Sequence, residues 1–384
     1  MNIGIDVTSL LHKRGVSRYT ANLVRELSQL PSVSLSLFGY SLTQRAQLLK
    51  LAQQLLTTGP ASSRHSVTIK HYPQSLLKYA WKWGGLGVAA QLPHIDVFHS
   101  WDWLQPPDKK LPLVSTVHDL AILKYPQTAH PEILSMHQQS WAVLKKRQAR
   151  IIAVSQTTKR DIVELLGYPP YLVHVIHEAL PVEFSRIDEQ MTEDVFEQIK
   201  TQLKLEKPYI LFVGTREPRK NLARLIEAWQ PLAADYELVI AGAAGWDETS
   251  AEKKYNNLPI RFLGHVTDSE LSVLYAQAAV FAYPSLDEGF GLPILEAFHH
   301  GTPVVTSKTG GTLEVAGNAA ELVDPESVDE LRAGLVTVLN EPLEAQRKRL
   351  QRMVVRLHMF NWQKVAQETL AVYQKAIQDA QDGR

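Results

Sequence analysis

The 384-residue sequence contains no cysteine. Disulfides, thiolate nucleophiles and cysteine-ligated metals are therefore excluded, and the chain suits a reducing compartment, expected to be the cytoplasm. Net charge is also missing, because 40 Lys and Arg balance 40 Asp and Glu. No global field draws such a chain to nucleic acid. No apolar run reaches the roughly 18 residues of a membrane span, which leaves at most peripheral contact with the cytoplasmic membrane face. The opening Met1-Asn2-Ile3-Gly4-Ile5-Asp6-Val7 is too short and too acidic for a signal peptide and reads as a first strand. The loop after it lacks the three-glycine dinucleotide fingerprint, which disfavours a nicotinamide site. No Asp-x-Asp motif falls in a strand-to-helix setting, so no metal is expected.

What is present is apolar substance. Hydrophobic residues make up 45% of the chain, enough for full cores in two domains of ordinary size. The most informative stretch starts with an apolar strand, Ala278 to Pro284, and continues through Asp287-Glu288-Gly289-Phe290-Gly291-Leu292-Pro293-Ile294-Leu295-Glu296. Two glycines one residue apart let the backbone turn tightly. Pro293 suits a helix start and Gly301 its end. Strand, glycine turn and helix put free N–H groups where an anion or a hydroxylated ligand can sit. Glu288 on the loop and Glu296 in the expected first helical turn face the same cleft. Either alone reads as a solvated acid or a helix-dipole partner; framing Gly-Phe-Gly, they read as functional.

The same rhythm recurs along the chain. After the first strand, Lys13, Arg14 and Gly15 precede a helix marked by Tyr19, Leu23, Val24, Leu27 and Leu30. Gly15 can bring backbone amides to a phosphate, or serve an ordinary turn. Strands follow at Val33–Tyr40, Val67–His71, Ile95–Ser100, Leu113–Val117, Arg150–Ser155 and Val173–His177. His118 sits just past the Leu113–Val117 strand, at the edge where open parallel sheets gather ligands. Lys78-Tyr79-Ala80-Trp81-Lys82-Trp83 mixes aromatics with lysines, which fits a lipid surface, a sugar face or merely a half-buried helix. Residues 182–207 turn acidic and read as a connector with a short helix near 192–203. Tyr209–Gly214 restarts the pattern, followed by Arg216, Arg219, Lys220 and Asn221. Asn221 reads as an N-cap, which sets Arg219 and Lys220 beside a positive helix end as a pyrophosphate clamp, or as a basic surface loop. Later strands are Glu237–Ala241, Ile260–Gly264, Pro303–Thr306 and Glu321–Val323, with Thr309-Gly310-Gly311 as another turn able to approach a ligand. Capping boxes open at Thr267 and Ser327. An amphipathic helix runs from Asn361 to about Gln378.

Two such series imply an α/β fold of two Rossmann-like domains facing across a cleft. The expected domains are 1–185 and 186–360, with a terminal helix 361–384 packing back on the first.

Glu288 to Glu296 matches an E-x7-E signature. With Gly214 to Asn221, Phe262-Leu263-Gly264, Pro303-Val304-Val305, Thr309-Gly310-Gly311 and Glu314, the chain resembles the retaining glycosyltransferases of family 4, which have the GT-B fold. Gly15 with Arg18-Tyr19, His118-Asp119 and Val154-Ser155 extend the likeness to the first half. The resemblance implies roles residue by residue. Glu296 would hold ribose, Glu288 would face the donor sugar, and Gly289 to Leu292 would offer amides. Lys220 would neutralise the diphosphate. Thr215 stands where the family often has Arg, so Arg216 or Arg219 supplies the second cation. Gly15 would close over the diphosphate, His118 would touch donor sugar or acceptor, and the loop at Gly264 and Val266 would hold the base.

The reaction so implied moves a hexose from a nucleotide-diphosphate sugar to a saccharide or lipid-linked acceptor in polysaccharide synthesis, with retention and without metal. UDP-glucose leads as donor, with GDP-mannose as the alternative. A nucleotide-sugar epimerase and a non-catalytic glycan-binding protein are the readings from other classes.

Overall fold

The computed structural model describes residues 1–12, 15–56, 64–92, 94–126, 130–245, 255 and 258–383. Lys13 and Arg14 of the basic loop lie outside them. The chain divides into two compact units, Met1–Glu178 with Trp362–Arg384, and Ala179–Asn361.

The first unit holds seven strands: β1 (Asn2–Asp6), β2 (Ser34–Tyr40), β3 (Ser66–Lys70), β4 (Val97–Trp101), β5 (Leu113–Val117), β6 (Arg150–Ala153) and β7 (Val173–Val175). All pair in parallel, in the order β3-β2-β1-β4-β5-β6-β7. Ile5 faces Leu37 on one side and His99 on the other. Every residue of β4 and β5 is buried, as expected where helices cover both faces of a parallel sheet. Phe38, Trp81, Phe98 and Trp141 belong to the core on one side.

The terminal helix Trp362–Gln381 belongs to this unit. The Tyr373 hydroxyl lies 2.6 Å from His99 Nδ1, and His99 Nε2 lies 2.9 Å from Thr116 Oγ1. Burial, with His118 nearby, pushes the His99 pKa down to about 3. The ring is therefore neutral, and each nitrogen is matched to a hydroxyl. Arg150 Nε donates to Asp379 at 2.7 Å nearer the helix end.

The second unit holds β8 (Tyr209–Val213), β9 (Glu237–Ala241), β10 (Ile260–Gly264), β11 (Val280–Tyr283), β12 (Val304–Ser307) and β13 (Glu321–Val323), in the order β10-β9-β8-β11-β12-β13. Leu225, Ile226 and Trp229 of the helix Leu222–Trp229 pack on this sheet, and the Trp229 indole donates to the Tyr236 carbonyl.

Several local expectations change. The acidic connector folds into two helices, Val182–Gln190 and Glu193–Gln202. Phe184 is fully buried and anchors the first, which is hard to read from one aromatic in a charged run. Asn221 occupies the N-cap position but at φ +62°, and its amide donates to the carbonyls of Pro284 and Pro325 instead of capping. Thr267 and Glu270 form the reciprocal capping box, whereas Glu330 turns to the Asp324 N–H and Lys308. The helix Leu343–Met359 went unread because its apolar residues do not share one buried face. Met353 is buried, while Leu343, Val354 and Val355 are exposed.

Tyr373→Phe should lower stability to urea by about 1–3 kcal/mol, since it strips a partner from a buried ring nitrogen. Tyr79→Phe, at an exposed site, should leave the unfolding midpoint unchanged.

Candidate functional site

In the second unit, strand order reverses between β8 and β11, since β9 and β10 run out one way and β12 and β13 the other. Loops leaving the carboxyl ends of two such strands diverge and open a crevice between them. The β8 loop carries Arg219 and Lys220 in a short 3-10 turn, Pro218–Lys220. The β11 loop carries Asp287 and Glu288. A backbone bond from Leu286 N to the Arg219 carbonyl, 2.8 Å, fastens the two loops together.

Glu288 is the centre of this site and is only 8% exposed. Lys220 Nζ donates to its Oε1 at 2.6 Å and to the Tyr283 hydroxyl at 2.9 Å. Arg219 Nη1 donates to Glu288 Oε2 at 2.8 Å and to the Asp287 carbonyl at 2.7 Å, while its Nη2 reaches Glu217. Burial alone would raise the Glu288 carboxyl. The Lys220 ammonium and Arg219 guanidinium outweigh it and bring the pKa down to about 2. Burial works against the Lys220 charge too, yet Glu288 leaves its pKa raised. All three groups are thus charged across the physiological range. The cations expected as a phosphate clamp are at the same time the partners of the carboxylate expected to face sugar.

The helix Leu292–His299 starts at Leu292 with Pro293 in its first turn and Gly291 before it at φ +120°. That conformation strains any residue with a Cβ. In this first turn Pro293 has no N–H to offer and Ile294 N donates to the Gly291 carbonyl at 2.9 Å, so the Leu292 N–H is the donor left outside the helix ladder. Because the helix starts at Leu292, Glu296 falls in its second turn and not its first, so it is no helix-dipole acid. Glu296 is buried and accepts from the Tyr275 hydroxyl at 3.0 Å. Gly289 is buried as backbone, Leu292 is half-buried, and the Phe290 ring meets Phe360 edge-on, centroids 5.6 Å apart.

The Thr309-Gly310-Gly311 turn approaches backbone within this unit. Gly311 N donates to the Glu288 carbonyl at 3.0 Å, and a Cβ at Gly311 would lie 2.4 Å from the Gly289 carbonyl oxygen. Its glycine lets the helix Gly310–Ala316 press against the acidic loop. Arg216 is buried with its guanidinium 5.1 Å from the Phe262 ring centroid. Gly264, at φ +68°, ends β10 and accepts from Gly242 N, and Val266 follows half-buried.

In the first unit, His118 follows β5 directly. Its Nδ1 is 2.7 Å from Glu178 Oε1. Its Nε2 is buried and has no hydrogen-bond partner among the described residues. Tyr19 stands edge-on at 4.9 Å. Burial disfavours the imidazolium, but Glu178, Asp102 and Asp119 together raise its pKa above the ordinary histidine value. Gly15 opens the helix Gly15–Gln29, and a side chain added there would meet nothing within 4 Å.

Glu178, Tyr283, Tyr275 and Asp6 escaped the sequence reading. Glu178 lies three residues past β7 and Tyr283 is the last residue of β11, so the strand-end rule that found His118 points to both. Asp6 ends β1 at the reversal in the first sheet. Burial lifts its carboxyl to about 6, although Thr8 hydrogen bonds oppose the shift. Among the described residues, no group of three or more His, Asp or Glu converges as a metal site would. None of the described helices is long and apolar enough to cross a membrane.

The family model described as "Glycosyl transferases group 1" matches residues 194–353, and "Glycosyltransferase Family 4" matches residues 13–184. The chain is 32% identical over 269 residues to O-antigen chain mannosyltransferase B of Escherichia coli, covering 68% of this chain and 69% of that protein. It is 30% identical over 289 residues to the MMP alpha-(1->4)-mannosyltransferase of Mycolicibacterium hassiacum, covering 69% of this chain and 66% of that protein, just under two thirds. A solved glycosyltransferase from Rickettsia africae ESF-5 superposes with a TM-score of 0.71 over 98% of both chains at 15% identity, a likeness of fold.

The His118–Glu178 pair makes its own prediction. A histidine whose pKa is raised by folding adds stability below its unfolded pKa, and that gain is lost as pH rises through the folded pKa. The NMR titration midpoint of His118 should lie above 6.5, the value of an ordinary histidine. In Glu178→Gln it should fall, and the stability lost as pH rises above 6.5 should shrink with it.

Proposed function

The chain belongs to the group 1, family 4 glycosyltransferases of GT-B architecture, and from that premise we propose that it transfers mannose from GDP-mannose to a saccharide acceptor, with retention of anomeric configuration. The transfer of a hexose rests above all on Glu288 held between Lys220 and Arg219 at the strand reversal. The choice of mannose rests on the two mannosyltransferase relatives. The sequence alone leaned towards UDP-glucose, which finds no support in these relatives. Polysaccharide synthesis is the proposed setting.

In the reaction, the bond from the sugar C1 to the diphosphate oxygen breaks and a bond from C1 to the acceptor oxygen forms on the same face. The acceptor proton passes to the departing phosphate. The departing diphosphate gathers negative charge, and fixed cations aimed at it supply the largest stabilisation. Lys220 and Arg219 are the proposed cations, with the Leu292 N–H at the start of the Leu292–His299 helix as a further donor. They make a metal unnecessary.

Glu288 remains anionic at working pH, so it is no general acid. Both its oxygens accept charge-assisted bonds, which lowers their nucleophilicity and favours same-face attack over a covalent glycosyl intermediate. Its proposed part is to orient the sugar and stabilise positive charge near the ring. Glu296 is proposed to bind ribose, with Tyr275 fixing its carboxylate. His118, oriented by Glu178, is proposed to bind a sugar hydroxyl through Nε2. An epimerase or a simple glycan binder would need no acceptor-dependent release of GDP.

With purified protein and saccharide acceptors, GDP-mannose should be consumed faster than UDP-glucose, and the rate should survive chelation. Lys220→Ala should lower kcat by about 100- to 1,000-fold, the usual cost of one lost charge-stabilising donor. Faster transfer from UDP-glucose would reject mannose, and an inverted anomer in the NMR spectrum of the product would reject same-face attack.

A further inference from the structure

A cavity of about 740 Å³ opens at the edge of the first unit opposite His118. Its walls are Leu113, the first residue of β5; Arg150, the first of β6; the end of the helix Pro131–Lys146; and the last turns of the terminal helix. Leu113 and Val117 are the two ends of β5, so about 13 Å of strand separates this cavity from the catalytic edge.

Its charge is one-sided. Lys82, Lys109, Lys110, Lys146, Arg147 and Arg150 line it, against the single carboxylate of Asp379. That carboxylate is already paired with Arg150 at 2.7 Å. Arg147 is occupied too, donating to the carbonyls of Pro106 and Leu111 at 3.1 and 2.6 Å, which fixes the wall. The four lysines have neither an ion pair nor a hydrogen bond among the described residues. Asp108 also acts on Arg147, but its carboxylate is held by the N–H groups of Val88 and Ala89; in a chain of zero net charge this is a local excess of cations, and it calls for an anion.

The rim shows which kind. Trp81 is core, 5% exposed and stacked on Phe38, but Trp83, which lines the cavity, is 81% exposed, and Tyr79, four residues before it, 66%. The aromatic and basic stretch of the sequence therefore splits into an anchor and two free rings. A small soluble anion has no use for exposed aromatics. Indole and phenol rings flanked by lysines are the side chains that settle at the boundary between lipid headgroups and acyl chains. Lysine stems reach headgroup phosphates while their methylenes lie along the apolar layer.

We propose that this cavity and its aromatic rim are a docking site for an anionic phospholipid surface. Docking through the amino-terminal strand edge leaves the carboxyl edge, with His118, open to substrate. The site stands on its own residues and needs none of the donor chemistry proposed above.

The test is co-sedimentation of the full chain with vesicles of phosphatidylcholine alone and of phosphatidylcholine mixed with phosphatidylglycerol. The mixed vesicles should bind the protein, with a blue shift of tryptophan emission, and high salt should release it. Replacing Lys109, Lys110 and Lys146 together by glutamate should weaken binding by at least on the order of a hundredfold. Trp83→Ala should abolish the emission shift while the circular dichroism of both variants stays that of the parent. Equal binding to both vesicles, or none, would overturn the proposal. So would calorimetric binding of inorganic phosphate that the lysine replacements abolish and Trp83→Ala leaves intact, because the site would then serve a free anion. The assay contains no sugar donor, so its failure leaves the transferase reading standing, and an inactive transferase that still binds vesicles leaves this one standing.

Discussion

The second unit depends on one buried carboxylate. Glu288 sits almost wholly out of water, and it is tolerable there only because Lys220 and Arg219 each hold one of its oxygens. Removing one partner from such a cluster leaves a buried charge exposed to a low dielectric, a loss of about 3–5 kcal/mol. The two loops that supply these groups are therefore bound to each other electrostatically as well as by the Leu286–Arg219 backbone bond. The same attraction keeps both cations at one place, as the proposed stabilisation of a departing diphosphate would require.

The scaffold explains how that cluster can exist. Parallel strands put all carboxyl ends on one edge, and the reversal between β8 and β11 makes two loops diverge there. The close contact of Gly311 with the Gly289 carbonyl then braces the acidic loop from behind. In the first unit the analogous edge holds His118, whose ring is oriented by Glu178 and backed by Tyr19. The opposite edge of that sheet, where strands begin, carries an independent set of cations. One sheet thus presents chemistry of different kinds at its two ends, a consequence of every strand pointing the same way.

Much of this was legible in advance. Leu113–Val117, Glu237–Ala241, Ile260–Gly264 and Glu321–Val323 are apolar or β-branched runs bounded by turn residues, and they are strands to the residue. Elsewhere boundaries moved by one or two positions, as with Val97–Trp101 in place of Ile95–Ser100. In the connector the helix expected near 192–203 is present as Glu193–Gln202, while Val182–Gln190 is not legible, for a clear reason. A charged helix such as Val182–Gln190 is held by one buried ring, Phe184, and a single aromatic carries no period. Glu296 lies one turn further into its helix than the sequence implies, because Gly291 and Pro293 mark a helix start only to within a residue or two.

By itself, the sequence determined the alternation of strand and helix, the positions of Glu288, Lys220 and His118 at strand ends, and the family to which those motifs point. These are local properties, set by hydrophobic period and by residues next to one another in the chain. Only the tertiary structure decided that Glu288 is clasped by both Arg219 and Lys220 across 69 and 68 residues of sequence, and that Glu178 orients His118 from 60 residues away. It likewise decided that Trp81 is core while Trp83 is surface, and that lysines from three separate segments meet around one cavity. Such pairings arise because parallel sheets bring together residues far apart in the chain, and no pattern of neighbours encodes which ones will meet.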